Sequence, residues 1–577
     1  MTGLFAKSRI VAPPGFNRWR VPPASIAIHL CIGSVYAWSI FNPPLMRVLG
    51  AAAPAADDWT LAQTSRTFVV AIVCLGLAAA VAGKWLERVG PRVVGCVAAV
   101  CWGGGFLIGA AGIAWHHLEL LYLGYGVLGG IGLGLGYVSP VSTLIRWFPD
   151  RRGLAAGMAI MGFGGGAIIA VPVNERLLQH FYRAPQFVGP AESVDLQTVD
   201  GRRTALVDGA RREVVVVTSA EAAKLPQPSA AGVYVVGTGR TGAVETFCTL
   251  GIVYFVVMFG AAMAYRIPAP DWVPVVGKAA MKNAADAVLP LTPNPSPARG
   301  EGNQTIPAPA CDVGEAVRTR QFYLLWIMLC LNVTAGIGVL AVAKTMLEEI
   351  FGSALPSLVT NRFTQTFVLM TSVFNMLGRF VWASASDYLG RRRTYMIFFA
   401  LGAVLYAVVP EIARRVGTDP RAVWLWTFYG VTMLIFTMYG GGFATIPAYL
   451  ADVFGTRNVG AIHGRLLTAW SVAGVLGPVA VTALRERAVS DAVHRLAGVV
   501  DPQVFAKRFG APIEQIDALL ASKTVDIAKL LELAPSGTVD PTTTLYNSTM
   551  YLMAGLLVVA LAANFLMRPL AETRAKK

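Results

Sequence analysis

Arg379 is the residue of this sequence whose position most demands a chemical reason. It stands within the apolar helical run of Thr371 to Arg393, TSVFNMLGRFVWASASDYLGRRR. A cation near the centre of a bilayer costs at least ~2.5–3.5 kcal/mol on insertion scales, so such residues face a bundle interior or a water-filled cavity. Asn375 lies four residues earlier on the same helical face, and Asp387, eight residues later, opens a charged turn. The apolar runs contain no carboxylate to pair with Arg379. The nearest acids, such as Glu119, Glu245, Glu348, Asp387 and Asp452, fall at or beyond the ends of those runs. A planar guanidinium fits a carboxylate bidentately, so the missing partner is expected to be a small organic anion supplied from outside the protein.

Other residues could surround that anion. His29 reads as the only histidine well inside an apolar span, and both helix packing and contact with substrate or a proton stay open for it. Tyr36, Trp38, Tyr125 and Trp470 are candidate cavity aromatics. The glycine-dense runs 126–136 and 162–166 lack the lysine and strand context of a phosphate loop and read as close helix packing. Seven cysteines show no metal-ligand spacing, and no nucleophile/base pair stands beside the spans. Neither enzyme chemistry nor a cofactor nor a metal is therefore expected.

The elements that must position these residues are membrane helices. Of 577 residues 55% are hydrophobic and 14% charged, against about 25% charged in soluble domains, and the apolar residues come in bilayer-length blocks. The formal charge of +15 sits at block ends rather than along a basic stripe, which argues for topology signals and against nucleic acid. Twelve spans are expected, the first beginning at about Val21 and the others at about 61–83, 92–114, 119–147, 154–173, 246–265, 321–343, 362–384, 394–410, 423–449, 466–484 and 546–567. By the positive-inside rule both termini are expected in the cytoplasm, and the inner membrane is the expected location.

The chain repeats itself. Glu87-Arg88-Val-Gly90-Pro-Arg92 after span two answers Asp387-Tyr-Leu-Gly390-Arg391-Arg392 after span eight, and Pro140 and Pro172 answer Pro447 and Pro478. Such repetition marks a transporter of two six-helix halves with its site between them. Segments 1–20 and 569–577 read as cytoplasmic ends, 21–265 and 321–568 as the two halves, and 266–320 as a Pro/Gly-rich cytoplasmic linker. Outer insertions at about 174–244 and 485–544 occupy matching places. The first alternates like a small β element, and the second reads as helical around Gln503 to Lys529.

The repeated acid–x–x–Gly–x–Arg turns resemble the signature of the major facilitator superfamily. That resemblance implies gating roles for Glu87, Arg88, Arg92, Asp387, Arg391 and Arg392, and for Asp150, Arg151 and Arg152 between spans four and five. Gly33-Ser-Val-Tyr36-Ala-Trp38 in span one, Arg146-Trp-Phe-Pro-Asp150-Arg151-Arg152-Gly153 and Asn375-x-x-x-Arg379 resemble, more narrowly, the oxalate/formate antiporter family, a monocarboxylate-transporter-like branch. The resemblance covers the helical core but neither insertion. It implies that Arg379 binds the substrate carboxylate. Oxalate carriers have a lysine in a Thr-Ala-Lys stretch of span eleven, where this chain reads Thr468-Ala469-Trp470. The expectation is thus an all-α secondary transporter, monomeric in the bilayer, that moves a monocarboxylate such as formate, lactate or pyruvate by antiport or proton symport. The alternatives are an exporter of larger amphipathic compounds and a membrane sensor on a transporter frame.

Overall fold

The computed structural model describes residues 6–568, except 200–201, 218–221, 223–224, 226–228, 270–271, 273–310, 456–457, 510–511, 522–524, 526 and 536. Most of the expected 266–320 linker lies outside the described residues. Among the described residues twelve helices are long and apolar enough to cross a membrane. They are α1 (Pro22–Gly33, running on as a 3-10 segment Ser34–Ile40), α2 (Leu61–Val89), α3 (Pro91–Ala114), α4 (Leu118–Trp147), α5 (Arg152–Phe181) and α6 (Ala243–Met263). The second half has α7 (Arg320–Phe351), α8 (Asn361–Leu389), α9 (Arg391–Thr418), α10 (Ala422–Phe454), α11 (Val459–Ala497) and α12 (Asn547–Phe565).

The repeat is physical as well as textual. α2 and α8 are both 29 residues long. Each begins at a threonine N-cap, Thr60 accepting from the Gln63 N–H and Thr360 from the Phe363 N–H, which satisfies a donor that the first helical turn leaves free. Each ends at a glycine of positive φ, Gly90 at 87° and Gly390 at 84°, a conformation that costs L-residues with a Cβ. The chain then reverses at once into α3 or α9.

α11 differs from its expected span. It begins at Val459 rather than about residue 466 and runs on to Ala497, beyond the bilayer-length core. The earlier start puts a second histidine, His463, inside the bundle with 1% exposure, so His29 is not the only buried histidine.

Both insertions emerge at the end of the bundle opposite the charged turns. The first forms a five-stranded antiparallel sheet, order β1-β5-β4-β3-β2, from β1 (Phe187–Gly189), β2 (Leu196–Val199), β3 (Arg202–Val207), β4 (Ala210–Val217) and β5 (Gly232–Val235). Asp208 and Gly209, both at positive φ, make the β3–β4 turn, the two-residue type whose twist matches the strands. The sheet rests on the α1–α2 loop: Val215, Val217 and Tyr234 pack against Ala52, Ala53 and Ala55. The second insertion holds short helices Pro502–Phe509, Ile516–Ala521 and Ile527–Leu531. Arg485 of α11 ties this region to α7 through an ion pair with Glu349, whose carboxylate also accepts from the Tyr546 hydroxyl at 2.6 Å.

Candidate functional site

Small residues let the two halves meet. α5 packs on α8 and α2 on α11, with Gly157 under the Arg379 carbonyl, Gly76 against Ser471, and Gly474 against Ile72. Into this seam α8 projects Arg379, which is 0% exposed. Its Nε donates to Asn375 Oδ1 at 3.1 Å and one terminal nitrogen donates to the Ile160 carbonyl of α5 at 3.3 Å. The other terminal nitrogen has no partner, and among the described residues no carboxylate pairs with the guanidinium. Neutral acceptors thus hold the fork in place and leave its charge uncompensated.

Aromatic rings wall the guanidinium. Its central carbon lies 5.6 Å from the Phe163 ring of α5 and 5.3 Å from the Phe443 ring of α10. Trp470 of α11 closes the chamber, 4.7 Å from Phe443, 5.3 Å from Phe163, 5.4 Å from Tyr137 and 6.5 Å from Tyr36. The hydroxyl of Tyr137 and the indole N–H of Trp470 are buried without partners, and the Tyr36 hydroxyl faces both Arg379 and the Tyr439 hydroxyl. Low-dielectric walls strengthen any charge pair formed among them. The chamber therefore combines one unpaired cation with neutral polar groups, an arrangement suited to a small anion.

The structure gathers Arg379, Asn375, Tyr36 and Trp470 here, with His29 behind Phe163 at 6.3 Å between rings. Trp38 and Tyr125 are placed elsewhere. Their rings pack at a tilt, 4.4 Å between centroids, in a cluster with Phe106 and Phe247 inside the first half. Residues two apart on a helix face different ways, so Tyr36 and Trp38 could not both face the chamber. Tyr137, Phe163, Phe443, Tyr439 and His463 were not anticipated. For His463 the signal was its position seven residues, two turns, before Trp470 on the same helix.

Gly164 offers a sharp test of this geometry. A methyl group there would sit 2.7 Å from Arg379 Nε and 3.0 Å from its Cδ, whereas one on Gly260 of α6 would meet nothing within 4 Å. Because misplacing a binding group by about 1 Å can cost ~100-fold, Gly164→Ala should weaken substrate affinity at least ~10-fold while Gly260→Ala does not, as read by concentration-dependent uptake.

At the charged end of the bundle, Asp387 accepts hydrogen bonds from the Gly153 and Leu154 N–H groups at 2.8 and 3.0 Å. It thereby caps the N-terminus of α5 from the other half, where the helix dipole favours an anion. Arg391 pairs with Asp387 at 2.5 Å and with Asp452 at 3.0 Å, and Arg152 reaches Asp452 across the seam at 2.9 Å. In the repeat-related place Glu87 pairs with Arg146 and lies beside Gly460, in the first turn of α11. Asp150 pairs with Arg18 at 2.7 Å, Arg92 donates to the Tyr265 carbonyl and Arg392 to that of Phe565, none of them crossing between the halves, while Arg88 and Arg151 are exposed. These contacts join the two halves at this end in a latch of ion pairs and capping bonds. Asp387→Asn keeps the shape but loses the charge, so it should weaken the latch by ~1 kcal/mol or more. The expected readout is several-fold faster maleimide labelling of a cysteine placed at Ser142, in a background without native cysteines; unchanged labelling would count against the latch.

Residues 25–189 match the sequence profile described as Major Facilitator Superfamily. The fold agrees over almost the whole chain with the Escherichia coli fucose:proton symporter FucP (TM-score 0.51, 10% identity, 95% of this chain and 98% of that one) and with a bacterial homologue of the iron transporter ferroportin in its outward-facing state (0.50, 10%, 94% and 98%). In this profile match and in its fold the chain resembles the major facilitator superfamily. Among relatives of this chain are the oxalate:formate antiporter of Oxalobacter formigenes, 24% identical over 81% of this chain and 85% of that one, and apicoplast pyruvate carrier 1 of Toxoplasma gondii, 23% identical over 76% and 78%. Human monocarboxylate transporter 11 is 32% identical over 29% of this chain and 34% of its own. The chain is accordingly a membrane transporter of small molecules rather than an enzyme.

Proposed function

We propose that this protein is a secondary transporter of a small monocarboxylate, working by rocking its two halves about the chamber at Arg379. The observation that carries the reading is the guanidinium itself, fully buried at the seam, with one terminal nitrogen free and no acid beside it. Binding a carboxylate completes the fork and cancels the buried charge in one step. Asn375 orients the guanidinium, while Tyr36, Tyr439 and Trp470 supply further neutral donors around the anion. The kinship with carriers of pyruvate, of oxalate and formate, and of monocarboxylates supports the substrate class.

Charge counting favours one carboxylate over two. A dianion on a single cation brings an uncompensated charge into a dry chamber, at a cost of several kcal/mol. The positive residues at the latch end support a cytoplasmic latch and cytoplasmic termini in the inner membrane. Uptake of a carboxylate panel by the purified protein in liposomes tests the proposal. Formate, pyruvate or lactate should exchange faster than oxalate; an oxalate flux above every monocarboxylate flux would overturn it.

A further inference from the structure

Two histidines lie fully buried beside the chamber, one from each half, and the anion site does not use them. His29 of α1 and His463 of α11 flank the Tyr137 ring of α4, at 5.3 and 5.8 Å between ring centroids. Their surroundings are chemically opposite. His29 directs Nδ1 at the Ala159 carbonyl and Nε2 at the Tyr137 carbonyl, the latter at 3.2 Å. Both partners are acceptors. A neutral imidazole carries one N–H, so only the doubly protonated ring can donate to both carbonyls. His463 has no partner on either nitrogen.

We propose that the His29–His463 pair is the coupling-proton site of this carrier, filled with one proton when an anion occupies Arg379 and emptied when the anion leaves. The inference rests on the anion site proposed above. His29 lies in the field of Arg379, and the Phe163 ring neighbours both, 6.3 Å from the imidazole and 5.6 Å from the guanidinium carbon. Two cations in one dry chamber repel each other, and an anion on the guanidinium removes that repulsion, so proton and anion bind cooperatively. The empty chamber carries the one charge of Arg379; loaded with both ligands it carries that same charge. The rocking step therefore moves an equal charge in both directions.

The pair also has a way out. His463 belongs to the opposite half from His29, so separation of the halves changes their contact. Three residues before it on α11, Gly460 touches Ser142 and lies beside the carboxylate of Glu87, whose Oε1 is buried without a partner. Tyr137 thus stands between His29 and His463, and one turn of α11 separates His463 from the latch residues beside Gly460. The titratable or charged groups facing the pair are Tyr137 of α4 and Arg379 of α8, with Tyr36 of the α1 extension beyond Phe163. At the margins stand Glu87 of α2, beside Gly460, and Tyr265, which neighbours Ser25 one turn before His29.

Liposomes containing the full-length protein and a lumenal pH dye are given formate, pyruvate or lactate, with protein-free liposomes subtracted, and counterflow of the same acids is measured in parallel. Every acid that exchanges should acidify the lumen. In His463→Gln, or His463→Asn if the glutamine variant fails to fold, the ratio of pH-gradient-driven accumulation to counterflow should fall at least about tenfold, and His29→Gln should lower the same ratio. Wild-type counterflow without acidification, or an undiminished ratio in the His29→Gln/His463→Gln double variant, overturns the proton site and leaves the anion site standing. Absence of counterflow for all three acids overturns both.

Discussion

Arg379→Gln should abolish uptake while the protein still folds and inserts. The glutamine keeps a donor near Asn375 and the Ile160 carbonyl, so the seam between α5 and α8 retains its packing. It loses the charge and the second donor of the fork. Removing one side of a buried, hydrogen-bonded charge pair costs ~2–5 kcal/mol, and each ~1.4 kcal/mol is a factor of ten, so uptake should fall roughly 30- to 3,000-fold. Arg379→Lys keeps the charge as a point on a flexible stem and should remain strongly impaired, because the bidentate geometry goes with the guanidinium. A well-expressed Arg379→Gln protein with near-normal uptake of every carboxylate would remove Arg379 from the substrate site.

Trp470→Lys should shift preference from monocarboxylates toward dicarboxylates such as oxalate. Trp470 is 0% exposed and packs on Phe163, Phe443 and Tyr137, so its replacement both opens room and adds a second cation to the chamber that holds Arg379. Couplings between close buried charges run from about 1.5 kcal/mol upward, so the dicarboxylate-to-monocarboxylate flux ratio should rise by at least ~10-fold. Trp470→Met, which opens room without adding charge, separates the two effects and should leave the valence preference where it was. A ratio that rises equally in both variants would show that Trp470 selects by size alone.

Local features made the frame of this protein legible from its sequence. Hydropathy and the 300-residue register of Glu87 and Asp387 are read along one strand of text, and the twelve spans, the threonine caps at Thr60 and Thr360 and the positive-φ glycines follow that register. Arg379 was legible because an intramembrane cation is rare and costly. Features that depend on which face a helix turns inward were not. An aromatic residue in a membrane helix looks the same whether it packs within its own half, as Trp38 and Tyr125 do, or walls the chamber, as Phe163 and Phe443 do. His463 escaped because Arg465, whose guanidinium folds back onto the Ala461 carbonyl, depresses the hydropathy at the start of α11. The latch partners of Asp387 are backbone N–H groups 233 and 234 residues away, which no side-chain motif records.

The most direct test of the carboxylate's role is competition between isosteres. Counterflow of labelled pyruvate or lactate is measured in the presence of unlabelled lactate or of lactamide, which matches its shape but replaces the carboxylate by a neutral amide. If the anion completes the fork of Arg379, lactate should compete at least ~100-fold more strongly than lactamide, since a charge-assisted bidentate pair is lost with the charge. Equal competition by the two would contradict the assignment of Arg379 as the carboxylate site.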